Sequence, residues 1–186
     1  MSESSFLIPK ARIGILIGRN GEVKTEIEKT LKVELNIDSE SGLVVVKPKE
    51  STDPLSILKA RDIITAIGRG FSPEKAFKLF NEDISLEIID LRDVVRKNEN
   101  AILRLKGRVI GKDGKTRRII EENTGAYITV YGHTIGIIGS YDSLSAAREA
   151  VELLLKGKQH STVYKFLEAK RREIKKKESI ELWEKR

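Results

Sequence analysis

Residues 107–120 read GRVIGKDGKTRRII, a segment in which apolar residues, glycines and positive charges follow one another in a fixed order. Gly111 and Gly114 enclose Lys112 and Asp113, and the residues after them predict a helix that begins with basic side chains. Free N–H groups at a helix start attract anions. The segment therefore indicates an anionic ligand, either a nucleotide phosphate or a nucleic-acid backbone.

Two nucleotide-binding motifs can be compared with this segment directly. A Walker A loop requires a glycine five positions before Gly114, and that position is Val109. A Rossmann fingerprint has the spacing GxGxxG, whereas the spacing that starts at Gly107 is GxxxGxxG. The sequence therefore disfavours a nucleotide site and favours a nucleic-acid backbone.

A second copy of the segment lies close to the N-terminus. Residues 16–30, LIGRNGEVKTEIEKT, resemble residues 109–124, and the matched glycines are offset by 93. Beyond a longer loop in the first copy, around residues 47–54, the offset becomes 87. Internal repetition on this scale indicates two small duplicated domains. The matched glycines are Gly14, Gly18 and Gly21 in the first copy and Gly107, Gly111 and Gly114 in the second.

Each copy predicts the same order of elements, β-α-α-β-β-α. A short helix ends at the glycine pair, a second helix begins there, and alternating apolar residues predict the strands. Asp53-Pro54 opens the closing helix of the first copy, and the second closing helix is predicted to be capped near Ser143. The predicted segments are strands 4–9, 33–38, 42–48, 84–91, 126–132 and 134–140, closing helices 54–67 and 143–155, and further helical segments 75–80 and 162–167.

The predicted fold class is therefore α+β, with two domains of one topology and extra C-terminal helices. We expect a first domain at 4–81 with its trailing helix, a second at 82–157, and a basic helical extension at 158–186. Residues 156–186 contain 11 Lys or Arg and 5 Asp or Glu, so this segment carries +6 of a formal net charge of +7. Its sparse apolar residues predict a helix docked on the second domain, with contact to nucleic acid or to a protein partner as alternatives.

The glycine pairs have a physical reason to meet a nucleic-acid backbone. Without a Cβ the main chain can approach sugar and phosphate closely, and the following helix directs N–H groups at the phosphate. Basic residues at a helix start oppose the helix dipole, which hints at a ligand that offsets this cost. The predicted contacts are Gly18, Arg19, Asn20, Gly21 and Lys24 in the first copy, and Gly111, Lys112, Asp113, Gly114, Lys115, Arg117 and Arg118 in the second.

LIGRNGEVKTEI and VIGKDGKTRRII, each in a βααββα unit, resemble the signature of the type I KH domain. That family clamps four nucleotides of RNA with its GXXG loop. The resemblance implies two tandem type I KH domains, each with a groove whose apolar floor supports the bases. By position the floor residues would be Ile17, Leu35 and Ile37 in the first copy and Ile110, Ile128 and Val130 in the second, although each could equally be an ordinary core residue.

The tandem units, the GRGFSPEKAFKLF segment at 68–80 and the GKQHSTVYKFLE segment at 157–168 are similar to an archaeal KH-domain ribosome-assembly family called partner of Nob, or Dim. The resemblance implies binding to the 3′ region of small-subunit ribosomal RNA during maturation. It also implies contact with the Nob endonuclease and with the alpha subunit of initiation factor two. Both GxxG loops are intact, so both domains are expected to bind RNA, although Asp113 would repel phosphate.

Composition excludes several other functions. The chain has no cysteine, so it cannot form a disulfide or a cysteine-based zinc site. His133 and His160 lack the spacing of metal ligands, and no catalytic constellation is evident, so we expect no cofactor, no metal and no enzymatic activity. The absence of a secretory signal and of a long apolar run predicts a cytoplasmic protein without a membrane partner.

One alternative function stays open at this point. In that interpretation the KH units are a protein-interaction scaffold, the tail helix recruits a nuclease or a translation initiation factor, and RNA binding is secondary.

Overall fold

Both copies of the repeat fold in the predicted βααββα order. The computed structural model describes residues 3–49, 53–96 and 98–184. The chain divides into unit one, Met1–Glu82, and unit two, Asp83–Arg186.

Unit one begins with a strand and two helices around the first glycine pair. Its sheet has the order β1-β3-β2 with antiparallel pairing throughout. The loop before the closing helix includes residues 50–52, which lie outside the described residues. The elements are β1 (Ser4–Leu7), α1 (Lys10–Ile17), α2 (Glu22–Leu31), β2 (Val33–Ile37), β3 (Leu43–Pro48), α3 (Pro54–Gly68) and α4 (Pro73–Ala76), which continues as a 3-10 turn at Phe77–Phe80.

Unit two repeats this arrangement with one additional helix after its first strand and with a longer last helix. Its antiparallel sheet has the order β4-β6-β5, so in each unit the last strand lies in the centre. The predicted α+β class and repeated topology are confirmed. The elements are β4 (Ile84–Asp90), α5 (Leu91–Val95), α6 (Glu99–Ile110), α7 (Lys115–Thr124), β5 (Tyr127–Tyr131), β6 (Thr134–Ser140), α8 (Tyr141–Leu155) and α9 (His160–Glu184).

Two local predictions need correction. The closing helix of unit two begins at Tyr141 with Ser140 at its N-cap, so the predicted cap near Ser143 was wrong. Ser140 still has the extended backbone of β6, with ψ of 166°, and strand passes directly into helix. The sequence also gave no sign of α5, whose N-terminus is capped by Asp90 through a bond from the Arg92 N–H at 2.9 Å.

The predicted docking of the tail helix holds for the first part of α9. Val163 and Leu167 are fully buried in the core of unit two, where α9 packs on α7 and α8. Further along, Lys177 pairs with Asp142 of α8 at 2.8 Å. The end of the helix is different, because Trp183 is 76% exposed. Within the described ranges, no helix has the length and apolar character needed to cross a membrane.

In each unit an arginine on the helix before the glycine loop bonds to the end of the closing helix. In unit one Arg12 donates to the carbonyls of Ile67 and Phe71, at 2.8 and 2.7 Å. In unit two Arg108 donates to the matching carbonyls, of Leu154 and Lys158. The Ile67 and Leu154 carbonyls also accept from the N–H groups of Gly70 and Gly157, at 3.1 and 3.0 Å, so each arginine adds a second bond at the helix end.

The two arginines do not occupy equivalent positions. The repeat pairs Arg12 with Leu105, so Arg108 stands three residues, about one turn, further along the first helix. Residues three apart lie on one helix face, which allows either position to reach the same acceptors.

A glutamate joins the second helix to the edge strand in both units. The Leu35 N–H donates to Glu28 Oε1 at 2.8 Å, and the Ile128 N–H donates to Glu121 Oε1 at the same distance. Each bond satisfies an N–H on the open side of the edge strand, where no neighbouring strand is available. The glutamates therefore hold β2 and β5 against the helices that follow the glycine loops.

We predict that Glu121→Ala lowers the free energy of unfolding by about 1 kcal/mol, because a hydrogen bond to a charged acceptor is lost at a half-buried site. Glu122→Ala is the matched control, since Glu122 is exposed and adjacent in α7. Urea denaturation monitored by circular dichroism measures both. Equal midpoints for the two variants would show that the bond to Ile128 contributes nothing.

Candidate nucleic-acid interface

The two glycine loops have the same backbone conformation. We call residues 18–21 loop one and residues 111–114 loop two. The first glycine has φ of 78° and ψ of 174° in loop one, against 74° and 175° in loop two. The last glycine has φ of 79° and 74°, respectively. Loops whose inner residues differ thus adopt one shape, which makes the shape a property of the repeated fold.

The first glycine of each loop is required by packing against the next helix. A Cβ on Gly18 would lie 2.6 Å from Val23 Cγ2 and 2.8 Å from the Val23 nitrogen. A Cβ on Gly111 would lie 2.7 Å from the nitrogen of Thr116. These distances are too short for any side chain, so the first glycine lets the loop pack directly on the helix start.

The last glycine of each loop has a different environment. A Cβ added to Gly21 or to Gly114 would meet no atom within 4 Å. Glycine is favoured here by the positive φ alone, and its bare surface faces open space. Between the two glycines of each pair, the last is the one that leaves room for a ligand to approach the main chain.

Asp113 has a structural role that its charge did not reveal. It has φ of 53° and ψ of 30°, and its counterpart Asn20 has φ of 54° and ψ of 24°. Asn and Asp are the residues other than glycine that adopt this left-handed conformation most readily. The loop position therefore selects Asp or Asn for conformation, and in loop two this places a negative charge beside the predicted phosphate site.

Neither helix after a glycine loop has a side-chain cap. Gly21 and Gly114 occupy the N-cap positions of α2 and α7 and provide no side-chain cap, and the first N–H group of each helix, on Glu22 or Lys115, donates to the carbonyl of Arg19 or Lys112. In contrast, Asn98 caps α6 by accepting from the Ala101 N–H at 3.0 Å. The positive end of the helix dipole therefore favours an anion at each loop.

The predicted cations lie around loop two as expected, and most are unpaired. Lys112, Lys115 and Arg117 are exposed and form no ion pair with any carboxylate in the described part of the chain. Arg118 donates only weakly to the Asp113 carbonyl, at 3.4 Å. Unpaired cations have no internal partner to give up when they meet a phosphate.

Loop one has fewer available cations. Arg19 is exposed and has no ion pair among the described residues, whereas Lys24 lies 3.9 Å from Glu28, one turn further along α2. In the repeat Glu22, which follows loop one, corresponds to Lys115, which follows loop two. The field at loop one is therefore less positive than that at loop two.

The predicted groove floor divides into two groups. Leu35 is fully buried and Ile128 is 1% exposed, so both are core residues that support the sheet from inside. With almost no exposed surface, Ile128 is not placed to touch a base, and its effect on a groove would be indirect. The half-buried positions remain candidates for direct contact, and they are Ile17, Ile37, Ile110 and Val130.

Sequence reasoning missed the contacts that α9 makes beside loop two. The Tyr164 hydroxyl lies 2.9 Å from Thr116 Oγ1, and His160 Nε2 lies 3.0 Å from the Arg108 carbonyl. Because Thr116 packs on Gly111, these bonds attach the tail helix to the flanks of the loop. The tail is thus part of the structure that holds loop two.

The other histidine, His133, lies in the β5–β6 turn of unit two. Its Nε2 is 3.6 Å from Asp90 Oδ2, and the pKa of Asp90 is lowered to about 2 because Arg92 donates to that carboxylate. The carboxylate is thus occupied by the cap of α5 and by its arginine. This cluster has an evident structural function at the start of α5.

Two family models match the chain, one for each unit. Residues 2–82 match the Krr1 KH1 domain, and residues 85–172 match a eukaryotic type KH-domain of KH-domain type I. The topology, the paired loops and these two matches define a protein with tandem type I KH domains.

Relatives extend the similarity over nearly the whole chain. It is 50% identical over 179 residues to KH domain-containing protein MJ0443 of Methanocaldococcus jannaschii, covering 96% of this chain and 78% of that protein. It is 33% identical over 135 residues to pre-rRNA-processing protein PNO1 of Eremothecium gossypii, covering 72% of this chain and 51% of that protein.

A protein of Pyrococcus horikoshii provides the structural comparison. The crystal structure of its Dim2p has a TM-score of 0.84 at 49% identity, covering 91% of this chain and 99% of that one. A chain in its crystallised complex of a/eIF2alpha, aDim2p and rRNA has a TM-score of 0.86 at 48% identity, covering 92% and 95%. The chain belongs to the Dim2p family of tandem KH-domain proteins, and the resemblance seen in its sequence is confirmed.

Substitution of the two glycines of loop two should separate their roles. We predict that Gly114→Ala costs about 1 kcal/mol of stability, from the left-handed backbone alone. Gly111→Ala should cost clearly more, because its Cβ would also clash with Thr116. Thermal unfolding of the two variants tests this order, and a smaller loss for Gly111→Ala would contradict the packing of loop two on α7.

Proposed function

We propose that this protein binds single-stranded RNA through its two GxxG loops, without a catalytic step, and that the RNA is the 3′ region of small-subunit ribosomal RNA during ribosome maturation. The observation that carries the proposal is the pair of uncapped helix starts behind two loops of one conformation. Both loops offer a phosphate a bare last glycine and the positive end of a helix dipole.

The charge around loop two supports RNA as the ligand. Lys112 precedes the turn, Lys115 opens α7, and Arg117 follows within the first turn of that helix. A phosphodiester chain on these groups would also relieve the unfavourable interaction between basic side chains and the helix dipole. Asp113 opposes binding electrostatically, but the loop needs its left-handed conformation.

The relatives support the choice of RNA. Dim2p of Pyrococcus horikoshii was crystallised in a complex that contains rRNA, and PNO1 of Eremothecium gossypii is a pre-rRNA-processing protein. A tandem KH protein that matches both over most of its length fits a role in handling ribosomal RNA.

Charge reversal in the loop tests the proposal. Lys112→Asp places two acids between the glycines of loop two, and we predict a loss of affinity for single-stranded RNA of tenfold or more, with unchanged melting temperature because Lys112 is exposed. Fluorescence anisotropy with an RNA copy of the rRNA 3′ end measures this. The same titration at several salt concentrations should show weaker binding as salt rises.

The control for this variant is Lys175→Asp, which makes the same change of charge on an exposed site of α9. Arg19→Asp makes the corresponding change in loop one and reports whether both units bind. Equal affinities of wild-type protein and the Lys112→Asp variant would reject loop two as an RNA clamp.

A second candidate function is recruitment of a protein partner, either the alpha subunit of initiation factor two or the Nob endonuclease. It is favoured by the crystallised complex of aDim2p with a/eIF2alpha and by an apolar group at the end of α9. Leu182 is 69% exposed and Trp183 is 76% exposed, beyond the part of the helix that packs on unit two.

Removal of residues 179–186 tests whether α9 recruits the partner. Recruitment through the helix end predicts loss of binding to the isolated alpha subunit or nuclease, with RNA affinity retained, because Leu182 and Trp183 do not contribute to the core. Isothermal titration calorimetry measures each pair. Full partner affinity in the shortened protein would place any partner surface elsewhere.

A further inference from the structure

A cleft of about 430 Å³ lies beside loop two, and none of the predicted groove-floor residues lines it. One wall is formed by α6 and loop two, and the other by the first turns of α9. The cleft therefore shares Gly111, Lys112 and Lys115 with the predicted RNA clamp and adds residues of α6 and α9 that lie outside the predicted groove floor.

Cations line the first wall. Arg104, Lys112 and Lys115 border the cleft, and all three are exposed without an ion pair among the residues that the structure describes. Arg104 lies seven residues before Gly111, which is two helical turns, so it extends the positive surface of the loop along one face of α6. A phosphate chain that leaves loop two would meet this surface next.

Two aromatic rings line the opposite wall. His160 is bonded to the Arg108 carbonyl at 3.0 Å, and Tyr164 lies 2.9 Å from Thr116 Oγ1. The rings face each other edge to face, with centroids 6.1 Å apart. Their orientation is fixed before any ligand arrives, which lowers the entropic cost of stacking a base against them.

Unit one keeps a cation at Arg19 and a ring at Phe77 but lacks the other groups, and it provides an internal comparison. The repeat places Ala11 at the position of Arg104, Glu22 at that of Lys115, and Pro73 and Phe77 at those of His160 and Tyr164. The two loops share one conformation, so the difference lies in the side chains around them. The combination of cations and hydrogen-bonded rings is a feature of unit two alone.

We propose that this cleft binds a nucleotide that flanks the segment held by loop two, with its phosphate on Arg104 and Lys115 and its base against the ring of Tyr164 or His160. The inference rests on the proposed RNA function and deepens it, because it gives unit two a longer footprint than unit one. The ligand class is single-stranded RNA that extends beyond four nucleotides.

Arg104→Ala tests the cleft without changing the loop, and it introduces the residue that unit one has there. All measurements use protein that also carries Arg19→Asp, which weakens loop one, so that RNA binding reports mainly on unit two. The probes are random-sequence RNAs of four and about ten nucleotides. We expect Arg104→Ala to lower the affinity for the longer RNA several-fold and to leave the affinity for the shorter RNA unchanged. The slope of log affinity against log salt for the longer RNA should become shallower by about 0.7, the value for one phosphate contact on a single strand.

Lys175→Ala is the matched control, since it removes one positive charge from an exposed site of α9 far along the helix from His160. Tyr164→Leu removes the ring and should lower the affinity for the longer RNA about tenfold. Tyr164→Phe keeps the ring and should retain most of the affinity, so the pair separates stacking from a general loss of packing. Melting curves of both variants accompany the titrations.

The cleft is rejected if Arg104→Ala and Lys175→Ala have equal affinities for the longer RNA, or if Arg104→Ala weakens both RNAs equally. Failure of the proposed function is a different result, in which Lys112→Asp leaves the affinity for the four-nucleotide RNA unchanged. A third result would reject only the cleft and keep the RNA clamp at loop two. In that result Lys112→Asp no longer binds the short RNA, while Arg104→Ala binds the long RNA with full affinity.

Discussion

The close packing of the first loop glycine on the next helix is the constraint on which the candidate sites depend. At Gly18 and at Gly111 the main chain passes so near the following helix that a Cβ has no space. Four residues separate the two helices in each unit, 18–21 and 111–114. The last glycine of the loop, with its positive φ, occupies the N-cap, so the second helix starts without a side-chain cap and the positive end of its dipole remains available to a ligand. Packing at the first glycine and backbone conformation at the last thus together produce the chemistry of the site.

The sequence predicted the elements whose signals are local. Strand alternation, the paired glycines and Asp53-Pro54 at the start of α3 each act over a few residues, and the structure has the corresponding elements. Features that depend on distant partners were not predicted. The bond between Thr116 and Tyr164 joins residues 48 apart, and neither residue carries a local sign of the other. The conformational role of Asp113 was missed in a related way, because charge is evident from a sequence whereas a left-handed backbone angle is not.

The two units show how one loop conformation can be combined with different surroundings. Loop one has Glu22 at the helix start and an ion pair between Lys24 and Glu28, whereas loop two has unpaired cations and a tail helix bonded to its flanks. Since backbone angles agree within a few degrees, electrostatics and side chains must account for any difference in affinity. Unit two therefore presents the more positive surface to a phosphate.

The arginines that close each unit have a consequence for how the copies can be recombined. The acceptor carbonyls correspond between the units, but the donor is Arg12 in one copy and Arg108, one turn away, in the other. A chimera that exchanged only the helix before the glycine loop would therefore keep a donor within reach of the same carbonyls. Its limit would be packing, because the exchange places Arg12 where unit two has the buried Leu105.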